Sequence, residues 1–317
     1  MTGNPMTRSG QNEKAWLIGL ADRLLQKVIG QDKAVKAVAD AVLRSRSGLG
    51  MPDQPIGSFL FLGPTSVGKT ELAKALTEEL FNDENLLVKL DMSKYGEKHS
   101  LSRLIGAPFG HVGHEEGGQL TEQVRRRPHS VILFDKVEKA HAAVLNRLLR
   151  VFDDGKLIDG QGRTVNFTHT IIIMTSNLGA EHLIKGMQGQ TSMKNAHDLV
   201  MKEVRSHFRE ELLDRIDEIV IFNPLSHDQL TKVARLQIKD VARRFPDKGI
   251  ALVVSDAALD VYGVRSIMIW IEKQVVTQLA KMLIRDEINE NSTVYIEVAQ
   301  GKDELMYRCE QNDGHVN

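Results

Sequence analysis

The sequence predicts an α/β fold in which a doubly wound parallel sheet precedes a smaller C-terminal α+β domain. Short, nearly continuous apolar runs alternate with longer segments of helical spacing, which is typical of a sheet built through helical crossovers. A glycine-rich turn joins the first apolar run to the first helical segment. The pattern changes after Pro224, where a long amphipathic segment begins, and we expect a domain boundary there.

The elements before Pro224 follow from these runs. Because few polar residues interrupt the apolar runs, we expect strands that are buried on both faces. The predicted strands are 58–63, 86–92, 130–135, 169–177 and 218–224. Helical patterns lie between them, notably at 70–80, 116–127 and 137–151. Many turn-forming and polar residues between 185 and 198 predict a surface loop.

The part of the chain after Pro224 has a different pattern of apolar and polar residues. A helix is predicted at 228–244, a short strand at 251–255, a further helix at 266–284 and a strand at 292–299. The length of 317 residues suits one large domain and a smaller one.

Composition sets limits on partners and compartment. The formal net charge of −1 gives no bulk electrostatic attraction to nucleic acid or to an anionic membrane, so neither is expected as a partner. The single cysteine, Cys309, excludes an internal disulfide framework and suits a reducing compartment. No apolar run is long enough to cross a bilayer, and the first residues lack the apolar core of a secretory signal. We therefore expect a cytoplasmic protein.

The sequence GPTSVGKT is the strongest chemical signal. It matches G-x-x-x-x-G-K-[ST] between a predicted strand and a predicted helix, a context that argues against a chance glycine-rich turn. Such a loop turns its N–H groups toward phosphate oxygens, while its lysine reaches the terminal phosphates and its last hydroxyl binds Mg²⁺. We therefore expect ATP and Mg²⁺ as cofactors. The predicted phosphate-binding residues are Gly63, Pro64, Thr65, Ser66, Val67, Gly68, Lys69 and Thr70.

A second metal-side group follows the third predicted strand. Four apolar residues run into Asp135, which is the pattern of an aspartate that holds Mg²⁺ at the end of a parallel strand. Sites of this kind usually carry a second carboxylate next to the first. Here the next residue is Lys136.

The chain resembles the second ATPase module of ClpB-type heat-shock disaggregases, which are hexameric AAA+ chaperones. Its motif sequences are most similar to those of the plant cytosolic branch. The resemblance rests on an ordered set of motifs: VIGQDKAV, GPTSVGKT, HSLSRLIGAP, GHEEGGQLTEQVRRRP, VEKAH, DDGKLIDGQGRTV, IIIMTSNLGAEHL and ELLDRIDEIVIFNPLS. It covers nearly the whole chain but only about the last third of a family member. By this resemblance we expect the N-terminal substrate domain, first ATPase module and coiled-coil middle domain of the family to be missing.

The resemblance implies a domain organisation and partners. It assigns 21–224 to an AAA+ nucleotide-binding domain and 225–300 to a C-terminal lid, with 1–20 as a linker remnant and 301–317 as a tail. ATP would bind between the two domains. The module would assemble into a homo- or hetero-hexamer with related AAA+ subunits and act on unfolded or aggregated polypeptide.

The resemblance also implies roles for individual residues. Asn177 would orient the attacking water, although a strand-end asparagine is often only a turn former. Arg215 would be an arginine finger for the adjacent subunit; on an isolated sequence, a solvated helix-end charge is the simpler interpretation. Val28 and Ile29 would contact the adenine, and Arg265 would reach the nucleotide from the lid.

The most important departure from the family is Lys136, which stands where the family has a catalytic glutamate. General-base assistance is worth roughly 10²–10⁴ in rate, and a charged ammonium group cannot accept a proton. Glu138 is no evident replacement, because the family carries a glutamate there as well. If Lys136 is instead solvated and turned away, the base is still missing.

Two further departures concern substrate grip and the lid. His111 stands where the family has an aromatic residue, usually tyrosine, in its substrate-gripping pore loop; a metal site with His114 lacks an evident third ligand. About two helical turns before Arg265 are missing, and Met268 and Ile269 replace basic residues, which weakens the role of Arg265.

Three functions follow. The preferred one is an ATP-binding chaperone module with weak or lost hydrolysis, either a regulatory or poisoning subunit of mixed rings or a decaying duplicate. The second is a fully active disaggregase subunit. The third is a nucleic-acid-acting P-loop ATPase such as a helicase loader, which the near-neutral charge opposes.

Overall fold

The computed structural model describes residues 10–83, 86–107, 117–243, 250–255, 257–258, 271–289, 291–298 and 305–311. The chain divides into two compact units, Met1–Pro224 and Leu225–Asn317. No helix among these described residues is both long and apolar enough to span a bilayer.

The first unit is built on a five-stranded parallel sheet in the order β2-β3-β6-β1-β7. Its strands are β1 (Gly57–Leu62), β2 (Leu87–Asp91), β3 (Ser130–Asp135), β6 (Thr170–Ser176) and β7 (Glu218–Ile221). A small antiparallel hairpin, β4 (Lys156–Ile158) and β5 (Thr164–Asn166), precedes β6. All five predicted strands are present, and the hairpin was not predicted.

Helices cover both faces of this sheet. They are α1 (Gly10–Ile18), α2 (Leu20–Lys27), α3 (Asp32–Arg46), α4 (Lys69–Phe81), α5 (Leu101–Ile105), α6 (Gln119–Arg126), α7 (Ala142–Asp154), α8 (Ala180–Met187), α9 (Met193–His207) and α10 (Glu210–Leu213). Short 3-10 turns occupy Met92–Tyr95, Lys98–Ser100 and Val137–Lys139.

Two apolar layers hold the first unit together because successive side chains on a strand point to opposite faces. Phe59 and Phe61 of β1 pack into the layer beneath α2, α3 and α4, whereas Leu60 and Leu62 pack into the layer beneath α6, α7 and α9. The predicted doubly wound α/β fold is therefore confirmed.

Three sequence-based predictions for this unit need correction. The loop predicted at 185–198 is wrong: α8 ends at Met187 and α9 begins at Met193, with the Ser192 side chain accepting a hydrogen bond from the Asn195 amide. The helix predicted at 137–151 is a 3-10 turn followed by α7, because His141 is extended and caps the new helix. The predicted linker over 1–20 contains α1, whose Trp16 and Leu17 pack against the core.

The second unit has its own sheet and core. Its elements are α11 (His227–Ala242), β8 (Ala251–Val254), a π-helical turn (Ile271–Val276), α12 (Thr277–Ile284), β9 (Ser292–Val298) and β10 (Leu305–Gln311). The strand order is β10-β9-β8, with β8 parallel and β10 antiparallel to β9. Strand β10 lies in the segment that was predicted to be a tail, and its pairing with β9 corrects that prediction. The predicted smaller α+β domain is confirmed.

Candidate functional site

The loop 63–70, which we call the candidate phosphate loop, connects β1 to α4. Gly63 has φ 141° and Gly68 has φ 104°, and a side chain on Gly63 would collide with the carbonyl oxygen of Phe222. Ser66 also has a positive φ, at 63°. Helix α4 begins without a side-chain cap, so its first N–H groups are available to a ligand. These features make the loop a cradle for an anion.

The segment after α2 lies beside this loop. Val28 is buried, and its Cγ1 lies 3.5 Å from the position that a side chain on Gly68 would occupy; Ile29 is half-buried. The buried Gln31 amide donates to the carbonyl oxygens of Val67 and Asn223, at 3.1 and 3.0 Å. Gln31 thus ties the predicted adenine-side residues to the loop, a role that no sequence pattern indicated.

Lys69 is the buried cation of the site. Its Nζ donates to the carbonyl oxygens of Gly63 and Pro64, both at 2.6 Å, and to Asn177 Oδ1 at 3.0 Å. Burial lowers the pKa of Lys69 to about 8, although the charges of Asp135 and Glu138 act in the opposite direction. The structure therefore brings the predicted lysine and the predicted Asn177 into direct contact.

Asp135 stands at the end of β3 and is held by two neighbouring strands. The Thr175 hydroxyl on β6 donates to Asp135 Oδ1 at 2.6 Å, and Lys89 Nζ on β2 lies 3.7 Å from Oδ2. Thr175 also accepts a hydrogen bond from the Lys136 amide at 3.2 Å. Sequence reasoning missed Thr175, because its role depends on contacts between β6 and the end of β3.

Lys136 has a left-handed backbone, with φ 61° and ψ 56°, and it caps the 3-10 turn that follows β3. Its side chain is half-buried, and its positive charge acts on Asp91, which stands opposite Asp135 in the register of β2 and β3. Hydrogen bonds from Ser93 hold the pKa of Asp91 below its usual value, and the positive charge of Lys136 lowers it further. Lys136 thus adds a positive charge at the strand edge where Asp91 and Asp135 meet.

Glu138 faces the same site from the 3-10 turn. Its Oε1 accepts a hydrogen bond from the Asn177 amide at 3.4 Å, and its charge acts on Lys69. Its Oε2 is buried and has no hydrogen-bond partner among the described residues. Sequence reasoning set Glu138 aside as a replacement base, and a helical pattern does not reveal which way a residue in a 3-10 turn points.

The donor set fits a magnesium nucleotide. Hydroxyl and carboxylate oxygens are the ligands that Mg²⁺ prefers, and Thr70 and Asp135 would supply them. The loop amides and Lys69 would hold the phosphates.

Arg215 lies just after α10 and makes local contacts. Its Nε donates to Asp153 Oδ1 at 2.6 Å, and its Nη1 donates to the Glu211 carbonyl at 2.6 Å. Neither partner belongs to the candidate phosphate loop. Beside this pair an open cleft of about 720 Å³ is lined by Arg147, Arg150 and Asp153, among other residues. Arg215 therefore lies at a charged surface, and its hydrogen bonds among the described residues do not include Lys69, Asp135 or Asn177.

Two predicted site residues, His111 and Arg265, lie outside the described residues. The same holds for His114, Met268 and Ile269.

Two family profiles match the chain. Residues 54–219 match the AAA domain (Cdc48 subfamily), and residues 225–296 match the C-terminal, D2-small domain of ClpB protein. Heat shock protein 100 of Trypanosoma brucei brucei is 48% identical over 315 residues, covering 96% of this chain and 36% of that protein. Chaperone protein ClpB of Bacillus cereus (strain ATCC 14579) is 48% identical over 307 residues, covering 94% of this chain and 36% of that protein.

A solved structure is also similar. A closed-state cryo-EM reconstruction of Hsp104 with ATPγS and FITC casein superposes with a TM-score of 0.84 at 39% identity, covering 95% of this chain and 53% of that chain. The chain thus spans little more than a third of the length of the two curated relatives described above.

Proposed function

The chain belongs to the AAA domain family as a D2-type module of ClpB/Hsp100 chaperones, and we propose that it binds ATP but hydrolyses it slowly or not at all. ATP binding is supported by the anion cradle at 63–70, by the buried Lys69 and by the Asp135 carboxylate at the neighbouring strand end. The similarity to Hsp104, whose reconstruction contains ATPγS, points the same way.

The observation that carries the loss of hydrolysis is Lys136. It occupies the strand-end position next to Asp135, where its charge acts on the acidic edge of the site. A lysine ammonium group has three donors and no acceptor, so it cannot accept a proton from water. Loss of general-base assistance costs roughly 10²–10⁴ in rate.

We further propose that the module assembles in a ring with copies of itself or with related AAA+ subunits in the cytoplasm. Arg215, held at the surface by Asp153, would then serve the site of a neighbour. Unfolded polypeptide is the proposed substrate class, supported by the casein bound to the similar Hsp104. A chain that binds ATP without hydrolysing it would act in mixed rings as a regulatory or poisoning subunit.

The test compares nucleotide binding with turnover in the same preparation. Mant-ATP is expected to bind in the presence of Mg²⁺, while phosphate release stays near background. Lys136→Glu is expected to raise phosphate release by about 10²-fold or more. Lys69→Ala is the control that removes binding. Rapid phosphate release by the unmodified chain that Lys69→Ala abolishes would overturn the proposal.

A fully active disaggregase subunit is the second candidate, and Glu138 is the observation that favours it. This carboxylate contacts Asn177 and keeps one buried oxygen without a partner. In that case Glu138→Gln would abolish turnover in the unmodified chain.

A further inference from the structure

The acidic charges at the ends of β2 and β3 are already matched by lysines before any ligand binds. The groups that act on one another at this edge are four lysines and three acids: Lys69, Lys89, Lys94, Lys136, Asp91, Asp135 and Glu138. Lys89 lies 3.7 Å from Asp135, and the positive charge of Lys136 acts on Asp91. An acidic residue in place of Lys136 would make this edge more negative by two units.

This balance changes what the site requires of its ligand. ATP without a metal carries several negative charges on its phosphates and is repelled by carboxylates at short range. Mg²⁺ ordinarily cancels part of this repulsion by bridging the phosphates and the strand-end aspartate. Here ammonium groups already offset the carboxylates that face the phosphates. Lys136 stands directly after Asp135 and is half-buried, so water screens its charge less than that of a fully exposed lysine.

We propose that this site, if it binds ATP as proposed above, also holds the triphosphate without Mg²⁺, because Lys136 supplies positive charge that the metal otherwise provides. The ligand class is thus metal-free nucleoside triphosphate as well as its magnesium complex. The inference rests on the proposed nucleotide binding but not on the proposed loss of hydrolysis.

The experiment is a set of mant-ATP titrations, each performed once with Mg²⁺ and once with EDTA. For the unmodified chain, Kd is expected to differ by less than about threefold between the two conditions. For Lys136→Glu it is expected to rise in EDTA by more than about tenfold, with Lys136→Gln in between. Added salt should weaken EDTA binding of the unmodified chain, since the attraction is electrostatic.

Lys139→Glu is the matched control. Lys139 is an exposed lysine of the same 3-10 turn, so its reversal makes the same change in total charge without touching the acidic edge. Its Kd in EDTA should stay close to its Kd in Mg²⁺. If Lys139→Glu and Lys136→Glu lost the same affinity for mant-ATP in EDTA, the inference would be overturned, because the change in total charge alone would explain the effect.

Two results separate this inference from the proposed function. If the unmodified chain binds with Mg²⁺ but loses affinity in EDTA as strongly as Lys136→Glu, only the inference fails. If it binds in neither condition, the proposed function fails and the inference with it.

Discussion

The Thr175 hydroxyl donates a 2.6 Å hydrogen bond to Asp135. A residue of β6 therefore holds the carboxylate of the neighbouring strand β3 that is proposed to face the metal. The same hydroxyl accepts the amide of Lys136. One side chain therefore orients the aspartate and anchors the left-handed turn that follows it.

Thr175→Val should destabilise the protein. Valine has nearly the shape of threonine but leaves an amide and a largely buried carboxylate oxygen without their partner, which costs about 1–3 kcal/mol in the free energy of unfolding. Urea unfolding followed by circular dichroism measures this. Thr164→Val, on the exposed face of β5, is the control and should change the free energy by less than about 0.5 kcal/mol. Equal stability of the two variants would mean that Thr175 is not the anchor described here.

Any slow hydrolysis that the unmodified chain retains should depend on Glu138. Glutamine keeps the shape of this side chain but removes the carboxylate that contacts Asn177 and acts on Lys69. Glu138→Gln should therefore lower the residual rate by about tenfold or more, with the Kd for mant-ATP changed by less than about threefold. Single-turnover hydrolysis measures the rate. A residual rate that survives Glu138→Gln and disappears with Lys69→Ala would assign the proton acceptor to another group.

Arg215 should matter for turnover in trans but little for folding. Its ion pair with Asp153 is open to solvent and screened by it, so breaking the pair should change stability little. In a Lys136→Glu background, Arg215→Ala should lower phosphate release by about 10³-fold while leaving nucleotide binding intact. Arg209→Ala, at the other end of α10, is the control. The proposed trans role would be lost if Arg209→Ala and Arg215→Ala reduced turnover equally, or if turnover did not rise with protein concentration.

His129 should make folding sensitive to acid. Its ring stacks on His169 at 4.8 Å between centroids, and burial lowers the pKa of His129, with the positive charges of His169 and Arg46 adding to the effect. Because the folded-state pKa lies below the unfolded value, the folded state binds fewer protons. Stability is then complete above about pH 6.5 and declines as pH falls below it.

The measurement is the free energy of unfolding at several pH values between neutral and mildly acidic. His129→Tyr keeps a stacking ring that cannot become cationic, so its stability should decline less steeply than that of the unmodified chain. The slope difference is limited to about 1.4 kcal/mol per pH unit for one proton. Parallel slopes for the two proteins would exclude His129 as the source.

The sequence predicted the parallel sheet well because its strands are apolar on both faces and end at chemically distinct residues. It failed at α9, where only Ala196, Val200 and Val204 are buried and the rest of the helix is polar. It failed at β10, which starts with three apolar residues in a row and is exposed at every second position, so that its pairing with β9 defines it.

For the candidate site, the phosphate-loop motif indicated Lys69 and the family resemblance indicated Asn177. Neither could indicate the contacts of Thr175, Gln31 or Glu138, because these form between strands or turns that are distant in the chain. Asp91 was also missed, although it ends an apolar run just as Asp135 does.

The left-handed conformation at residue 136 is held from outside the side chain, by the amide bond to Thr175 and by the 3-10 turn that follows. A glutamate at position 136 would therefore leave the backbone at the same point and in the same direction as the lysine does. A lineage that acquired the lysine could return to an acidic residue by a single exchange, with no rebuilding of the surrounding scaffold.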